Sequence, residues 1–249
     1  MKNKILKAGL KCLVISIISC LYYYSVAAQN LPMSSYGLPI INSVSIYHES
    51  LKSHPEKQMV SLLQIPGIIM DLRYASTNNF MHKKLYPKNT KNSFLRKPAC
   101  LALEDVARDL ASQGIVLVIF DAYRPYSATI QIWIPVKDER YAANPAKGSG
   151  HNRGVAVDLT LADSKTHQLL LMPTDFDNFS DSARQDFNRT DAKRITNREL
   201  LKRTMEKYGF VALPTEWWHF SWPHAENFEV LDLSFAQLEK ITKAERTNF

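Results

Sequence analysis

Two short segments of the chain carry the residue types of a hydrolytic metal site. An SGHNRGVAVD segment contains His151 and Asp158, and a later EWWH segment contains Glu216 and His219. A catalytic zinc ion needs three protein ligands, an open position for water and a group that takes the proton of that water. Two histidines and an aspartate offer the ligands, and Glu216 offers the base. Together the segments therefore favour a metal site.

Each segment alone also has a plain structural interpretation. The first could be a histidine that caps a turn and an aspartate that pairs with Arg153, and the second could be Trp-rich core with Glu216 in solvent. In an ideal strand, Glu216 and His219 would point to opposite faces, because side chains alternate. Pro214 predicts a turn or a strand start just before them, which relaxes that conflict.

Arg124 is a further candidate for chemistry. It follows the continuous apolar run IVLVIF at 115–120, which predicts a buried strand, and Pro125 suits the first turn of a helix. Side chains at such junctions commonly project into sites. The guanidinium could simply pair with Asp121, or it could stabilise the oxyanion of a tetrahedral intermediate near a metal. Both interpretations fit the sequence.

Apolar periodicity predicts the elements that must position these residues. We predict helices at 103–110, from 127–133 onward, from a capping box at Thr196 and Glu199 to Gly209, and at 231–245. We predict strands at 68–74, 115–120, 155–161, 167–172, 210–213 and 217–222, with 155–161 and 167–172 as a hairpin. This order predicts an α+β fold, a single domain with a central, mainly antiparallel sheet flanked by helices.

The first residues of the chain have the layout of a secretory signal peptide. Four lysines precede an apolar stretch, and small residues up to Ala28 suit a cleavage site, so residues 1–28 are predicted to be removed on export. A membrane anchor fits less well, because the apolar stretch is shorter than the roughly 20 residues that span a bilayer. Lipoprotein processing at Cys20 is the second alternative. We therefore expect an exported, periplasmic protein.

The composition of the mature chain argues against a nucleic-acid-binding protein and against a disulfide-stabilised one. The net charge of +7 falls to +3 without the four leader lysines, and no basic run indicates a nucleic-acid partner. Cys100 is the one cysteine left after cleavage, so the mature chain has no internal disulfide, and a buried thiol is expected. We expect an extension at 29–60 that wraps the domain without forming a core layer, a domain at 61–249, and no membrane anchor after cleavage.

The chain resembles the zinc D-alanyl-D-alanine dipeptidases, relatives of the zinc D,D-carboxypeptidases that share the Hedgehog-type zinc fold. The resemblance rests on matching segments in the family's order, namely DLRYASTNNF at 71–80, DAYRP at 121–125, 149–161, MPTDFD at 172–177 and EWWH at 216–219. The 71–80 and 172–177 segments are specific to the dipeptidases, whereas the histidine-containing motifs belong to the wider superfamily.

The resemblance implies a role for each matching residue. It implies one zinc ion per chain, bound by three of these residues. It also implies that Glu216 is the general base, that Arg124 stabilises the oxyanion, and that Asp177 pairs with the ammonium of the dipeptide. The implied zinc ligands are His151, Asp158 and His219, and the implied substrate contacts besides Asp177 are Ser149 and Tyr74. The implied substrate is a small D-dipeptide such as D-Ala-D-Ala.

Two other functions fit parts of the sequence. A D,D-carboxypeptidase that trims peptidoglycan stem peptides would need an open cleft and no ammonium-binding acid, so Asp177 opposes it. A zinc-stabilised, non-catalytic wall-binding module would not need Glu216 or Arg124, which are both present. His82 stands where the family usually has small residues, and we expect it to reshape the mouth of the pocket.

Overall fold

The computed structural model describes residues 31–247, so the predicted signal peptide at 1–28 lies outside the described residues. The helices are α1 (Val44–Ser53), α2 (Lys97–Ala111), α3 (Tyr126–Val136), the single turn α4 (Gly150–Arg153), α5 (Ala192–Lys207) and α6 (Phe235–Thr247). The strands are β1 (Ile40–Ile41), β2 (Met59–Ser61), β3 (Ile68–Met70), β4 (Phe94–Arg96), β5 (Ile115–Asp121), β6 (Ala156–Asp163), β7 (Val211–Ala212), β8 (His219–Ser221) and β9 (Val230–Leu231).

Five strands form the central sheet in the order β3-β5-β6-β8-β7. The β3–β5 pair is parallel, and the other three pairs are antiparallel. This arrangement, with helices packed around it, confirms the predicted α+β class and the mainly antiparallel sheet. Strands β5 and β6 are buried along most of their length, and for β5 the continuous apolar sequence predicts this burial. Strand β5 ends at Asp121, three residues before Arg124, and β6 carries Asp158.

Helix α2 covers one face of the sheet. Its buried side chains include the predicted stripe of Leu103, Val106 and Leu110, which packs in the main core cluster with β5 and β6. The helix ends before Gly114, whose φ of +73° is a left-handed conformation that glycine adopts without strain. The periodicity of this segment therefore predicted both the helix and its end.

Helix α5 begins earlier than its predicted capping box. Asp191 is the N-cap, because its carboxylate accepts hydrogen bonds from the amides of Lys193 (2.7 Å) and Arg194 (3.2 Å). Thr196 lies one turn inside the helix and donates to the carbonyl of Ala192 at 2.9 Å. The capping box at Thr196 was therefore wrong, although Met205 is buried and the helix ends at Lys207, just before the predicted stop at Gly209.

Several predicted strands are shorter than expected. The strand predicted at 68–74 ends at Met70, and a 3-10 turn at Arg73–Ala75 follows it. The hairpin partner predicted at 167–172 pairs with β6 only briefly, through one antiparallel bridge between Ala162 and Leu169. The Leu170 amide donates to Leu161 O at 2.8 Å, so the predicted pairing exists but is too short to form a strand. Strands β7 and β8 are likewise short, because a turn occupies the residues between them.

The N-terminal segment does more than wrap the domain. Ile41, Tyr47 and Met59 are fully buried in a second core cluster, and the Tyr47 hydroxyl accepts a 2.7 Å hydrogen bond from the Met59 amide. The expectation that 29–60 forms no core layer was therefore wrong, because these apolar side chains pack against α6. Strand β9 pairs in parallel with β1, so the last helix begins at Phe235 and not at 231.

Two further observations bear on the class of the protein. Cys100 is buried in the main core, and burial raises the pKa of its thiol to about 12, which agrees with an inert structural residue. Within residues 31–247, the helices lack the combination of length and apolar character that crossing a membrane requires.

Candidate active site

The sheet register brings the predicted metal ligands together. Asp158 on β6 lies directly opposite His219 on β8, and the Asp158 Oδ1 atom is 2.8 Å from His219 Nδ1. His151 comes from the one-turn helix α4, which Gly154 ends with a left-handed φ of +69° before β6 begins. His151 Nε2 lies 3.3 Å from His219 Nδ1 and 3.4 Å from Asp158 Oδ2. Three potential ligand atoms thus face one point.

These three side chains fit a zinc ion in geometry and chemistry. Ligand atoms at about 2.0–2.1 Å from a tetrahedral zinc are about 3.3 Å apart, close to the separations of His151 from its two neighbours. The Nδ1 atom of His151 donates a 2.7 Å hydrogen bond to the carbonyl of Ala122. Since a carbonyl only accepts, Nδ1 carries the hydrogen, and Nε2 keeps its lone pair for a metal.

Charge at this cluster agrees with a cation site. Burial opposes ionisation of Asp158, but the contacts with His151 and His219 outweigh it and lower the pKa of the carboxyl. Burial lowers the pKa of His151, but the Asp158 and Asp121 carboxylates together outweigh burial and raise the pKa. The Asp158 carboxylate is therefore ionised and draws positive charge toward the cluster.

Glu216 and His219 share the cavity because the chain turns between them. The Glu216 amide donates to Leu213 O at 3.2 Å, and the His219 amide donates to Glu216 O at 3.3 Å, so turns precede His219 and the predicted strand begins only there. Burial raises the pKa of Glu216 to about 7, with smaller opposing effects of His219 and Arg124. A carboxyl with a pKa near the working pH suits a general base.

A side chain that the sequence did not single out holds this turn. Gln185 is buried, and its Nε2 atom donates to the carbonyls of Glu216 (3.3 Å) and Trp217 (3.4 Å). The amide of Trp217 donates to Ala183 O at 2.9 Å. The loop before α5 therefore positions the backbone of the candidate base. A buried glutamine in a polar loop carries no pattern that would have identified it.

Arg124 both pairs with Asp121 and faces the cavity. Its Nε and Nη2 atoms donate to Asp121 Oδ2 at 2.9 and 2.7 Å, and Tyr86 donates to Asp121 Oδ1 at 2.6 Å. Its guanidinium lies 4.9 Å from the centre of the Tyr74 ring. Asn152 on α4 donates to the Arg124 carbonyl at 2.9 Å. The two interpretations of this arginine are therefore compatible, because the pairing fixes a guanidinium that lines the cavity.

Asp177 is a half-buried carboxylate held by neutral donors. It adopts a left-handed φ of +61° and accepts hydrogen bonds from the Tyr74 hydroxyl (3.3 Å) and the Phe80 amide (3.2 Å). Burial raises its pKa to about 7, and the hydrogen bonds and Arg124 oppose this rise. Within the part of the chain that the structure describes, no ion pair to Asp177 is formed. The carboxylate therefore faces the cavity without a counter-charge of its own.

Tyr74 and Ser149 have structural partners as well as positions on the cavity. Tyr74 is buried, and its hydroxyl supports Asp177. Ser149 is the N-cap of α4, because its Oγ atom accepts from the Asn152 amide at 3.2 Å. Arg153, in contrast, turns away from the metal cluster and donates to the carbonyls of Phe228 and Lys147.

All eight predicted site residues line one cavity of about 210 Å³. They are Tyr74, Arg124, Ser149, His151, Asp158, Asp177, Glu216 and His219. The cavity is smaller than the roughly 300 Å³ at which pockets for drug-sized ligands begin. Phe80, Tyr141 and Phe179 also line it, although the sequence assigned them no role. His82 is exposed in the turn after Phe80 and does not line the cavity, so it does not shape the mouth directly.

Comparisons with known proteins identify the family of the chain. The chain matches the model of the D-Ala-D-Ala dipeptidase family, peptidase M15, over residues 52–240. It is 33% identical to the D-alanyl-D-alanine dipeptidase of Escherichia coli (strain K12) over 180 residues, which are 72% of this chain and 92% of that protein. It is 28% identical to the D-alanyl-D-alanine dipeptidase of Enterococcus faecalis (strain ATCC 700802 / V583), over 62% of this chain and 85% of that one.

A solved structure is also similar, at lower identity. It is a mutant of the vancomycin-resistance D,D-pentapeptidase VanY in complex with Zn(II), with 14% identity and a TM-score of 0.36, and the match covers 55% of this chain and 77% of that chain. The family assignment rests on the sequence matches alone. Because the family model spans more than half of the residues, this chain is a peptidase that belongs to the D-Ala-D-Ala dipeptidase family.

Proposed function

We propose that this chain is a zinc-dependent dipeptidase that hydrolyses D-Ala-D-Ala or a closely similar D-dipeptide. The observation that carries the proposal is the Asp177 carboxylate, which lies in the same small cavity as the metal cluster and forms no ion pair with any of residues 31–247. A buried carboxylate is costly unless it is paired, and the ammonium of a free dipeptide would pair with it. His151, Asp158 and His219 would hold the zinc ion.

Zinc, when bound, supplies Lewis acidity that lowers the pKa of water and polarises a carbonyl. Glu216 takes the proton of the attacking water on its carboxylate and later delivers it to the nitrogen of the leaving D-alanine. The C–N bond breaks, the new C–O bond forms, and the two products are free D-amino acids. Burial keeps the pKa of Glu216 near 7, so the same carboxyl can accept and return the proton.

Arg124 stabilises the negative charge that develops on the scissile carbonyl oxygen. Asp121 holds its guanidinium through two hydrogen bonds from one side, and the Tyr74 ring supports it from another. A donor that is fixed before the reaction does not have to reorganise as the charge develops. This is the reason to assign the oxyanion role to Arg124 and a positioning role to Asp121.

Asp177 would restrict the enzyme to substrates with a free amino terminus. A substrate whose amine is acylated leaves the carboxylate without its partner, which costs about 1–3 kcal/mol or more. The small cavity would add a limit on length, because a stem pentapeptide is much larger than a dipeptide. Both features favour a dipeptidase over a carboxypeptidase that trims peptidoglycan stems.

The decisive experiment is release of free alanine of either configuration by the purified protein from D-Ala-D-Ala, N-acetyl-D-Ala-D-Ala, L-Ala-L-Ala and a stem pentapeptide, each with and without a chelator. We expect chelator-sensitive cleavage of D-Ala-D-Ala and little cleavage of the others. Preferential cleavage of the pentapeptide would move the protein to the carboxypeptidases. Zinc-loaded protein that cleaves none of the four would favour a non-catalytic wall-binding module.

We also infer that the enzyme acts outside the cytoplasm, on dipeptides released from the cell wall. The support is the signal-peptide pattern of residues 1–28. Cell fractionation and sequencing of the mature amino terminus test it. A periplasmic protein that begins at Gln29 is the expected result, and a cytoplasmic protein that retains Met1 would contradict export.

A further inference from the structure

Three aromatic rings from three separate loops form a continuous row along the cavity. The Phe80 and Phe179 rings meet edge to face with centroids 5.1 Å apart, and the Tyr141 ring lies 5.3 Å from that of Phe179. All three line the cavity that contains the metal cluster. We call these residues the aromatic row. Nothing in the proposed chemistry requires them, since none offers a metal ligand or a proton acceptor.

The aromatic row lies beside the carboxylate that would bind the ammonium. The Phe80 amide donates directly to Asp177 Oδ2 at 3.2 Å, and Phe179 follows Asp177 by two residues. In a free dipeptide, the ammonium and the first side chain are attached to the same carbon atom. A dipeptide anchored at Asp177 therefore places its N-terminal side chain close to these two phenyl rings.

We propose that the aromatic row, and Phe179 above all, limits the size of the N-terminal residue of the substrate. This proposal rests on the proposed dipeptidase function and on the ammonium role of Asp177. In a cavity of about 210 Å³, we expect a methyl side chain to fit beside the rings and an isobutyl or benzyl group to be too large. The selected substrates are D-dipeptides with a small N-terminal residue, such as D-alanine.

The row resists displacement because its members hold each other. Phe80 also packs against the second core cluster, so it cannot move outward without losing those contacts. Phe179 lies between the other two rings, and moving it would separate both aromatic contacts. Tyr141 is 40% exposed, and the guanidinium of Arg140 lies 5.2 Å from its ring centre. The outer ring is therefore expected to matter less than Phe179.

The test compares substrate ratios in zinc-loaded wild-type protein and in Phe179→Ala. Two series are used, one with a variable N-terminal residue (D-Ala-D-Ala and D-Leu-D-Ala) and one with a variable C-terminal residue (D-Ala-D-Leu). We expect Phe179→Ala to raise the kcat/KM of D-Leu-D-Ala relative to D-Ala-D-Ala by about 10-fold or more, since one to a few methylenes decide about 10–200-fold. The ratio of D-Ala-D-Leu to D-Ala-D-Ala should change far less.

Controls separate this effect from damage to the fold. Tyr36→Ala removes a ring that is 37% exposed and does not line the cavity, so it should leave both ratios unchanged. Phe179→Leu removes less volume and keeps an apolar side chain, and a smaller shift in the same direction is expected. An unchanged N-terminal ratio in both Phe179 variants, or a shift confined to the C-terminal series, would overturn the proposal.

A binding measurement distinguishes failure of this inference from failure of the proposed function. Calorimetric affinities of the same dipeptides for Glu216→Gln, with and without Phe179→Ala, do not depend on turnover. If wild-type protein does not hydrolyse D-Ala-D-Ala, the proposed function fails, and the affinity ratios still decide the role of the aromatic row. A tighter relative affinity for D-Leu-D-Ala in the double variant supports it, and an equal relative affinity refutes it.

Discussion

Replacing Asp177 by asparagine removes the charge of the proposed ammonium site while keeping its shape. Asparagine is among the residues that tolerate the left-handed backbone found here, where φ is +61°. Its Oδ1 atom can still accept from the Phe80 amide, and its Nδ2 atom can donate to the Tyr74 hydroxyl oxygen. Any change in behaviour therefore reports the charge.

The structure predicts that this substitution stabilises the protein at alkaline pH. Burial raises the Asp177 pKa from 3.8 to about 7, a shift that corresponds to about 4 kcal/mol of ionisation cost as an upper value. Because the folded-state pKa is raised, the folded protein binds more protons than the unfolded chain between about pH 4 and 7, and stability falls as pH rises through that window. The asparagine variant lacks this loss, so its advantage appears near pH 8 and disappears below about pH 4.

The same substitution is expected to reduce activity toward free dipeptides. Loss of one partner of a buried charge pair costs about 2–5 kcal/mol, so kcat/KM for D-Ala-D-Ala should fall about 100-fold or more. N-acetyl-D-Ala-D-Ala has no ammonium, and its slow hydrolysis should change little. In the wild type, kcat/KM for D-Ala-D-Ala should also fall as pH drops below about 7, because protonated Asp177 no longer attracts the ammonium.

Urea unfolding of both proteins in the same metal state, at pH 5 and pH 8, measures the stability effect, and steady-state kinetics on both substrates measures the functional one. Equal losses on the free and the acetylated dipeptide would refute the ammonium role. An asparagine variant that is no more stable than wild type at pH 8 would refute the desolvation argument.

Three further substitutions test the remaining parts of the site. Glu216→Gln should keep one zinc ion per chain by elemental analysis and lose about 1000-fold or more in kcat, and unimpaired turnover would remove Glu216 from the mechanism. Arg124→Lys keeps the positive charge but loses the two hydrogen bonds that fix the guanidinium on Asp121. We expect kcat to fall about 100-fold with KM little changed, and a change in KM alone would indicate a binding role. Gln185→Met keeps the size but removes the donors to the Glu216 turn, and we expect a several-fold lower kcat with unchanged zinc content, whereas loss of zinc would show a purely structural role.

The sequence alone was sufficient to identify the candidate ligands, because the chemistry of a zinc site allows few residue types. His151, Asp158 and His219 were selected on side-chain chemistry, and the structure places them around one point. Helix α2 and strand β5 were also predictable. The pattern of apolar residues that defines each element lies within the element itself, and those residues are the ones buried in the core. The resemblance to the dipeptidases added Asp177, which composition and spacing do not distinguish from any loop aspartate.

Local patterns were less informative where long-range contacts decide the conformation. The turn that brings Glu216 and His219 to the same cavity depends on the loop that carries Ala183 and Gln185, which is distant in sequence. The strand predicted at 217–222 is for this reason confined to His219–Ser221. In the same way, the N-terminal segment was expected to lie outside the core because its composition is mixed and polar, yet Tyr47 is fully buried there.

The sequence by itself determined which chemistry the protein can perform, because metal ligands and proton acceptors are set by residue type. Only the tertiary structure decided how selective that chemistry can be. It brought Phe80 from a distant loop beside Asp177 and Phe179, and it left that half-buried carboxylate without an ion pair to any of residues 31–247. Cavity size and desolvation are properties of the packed chain, because they arise from the atoms that surround a group in space and not from its neighbours in sequence.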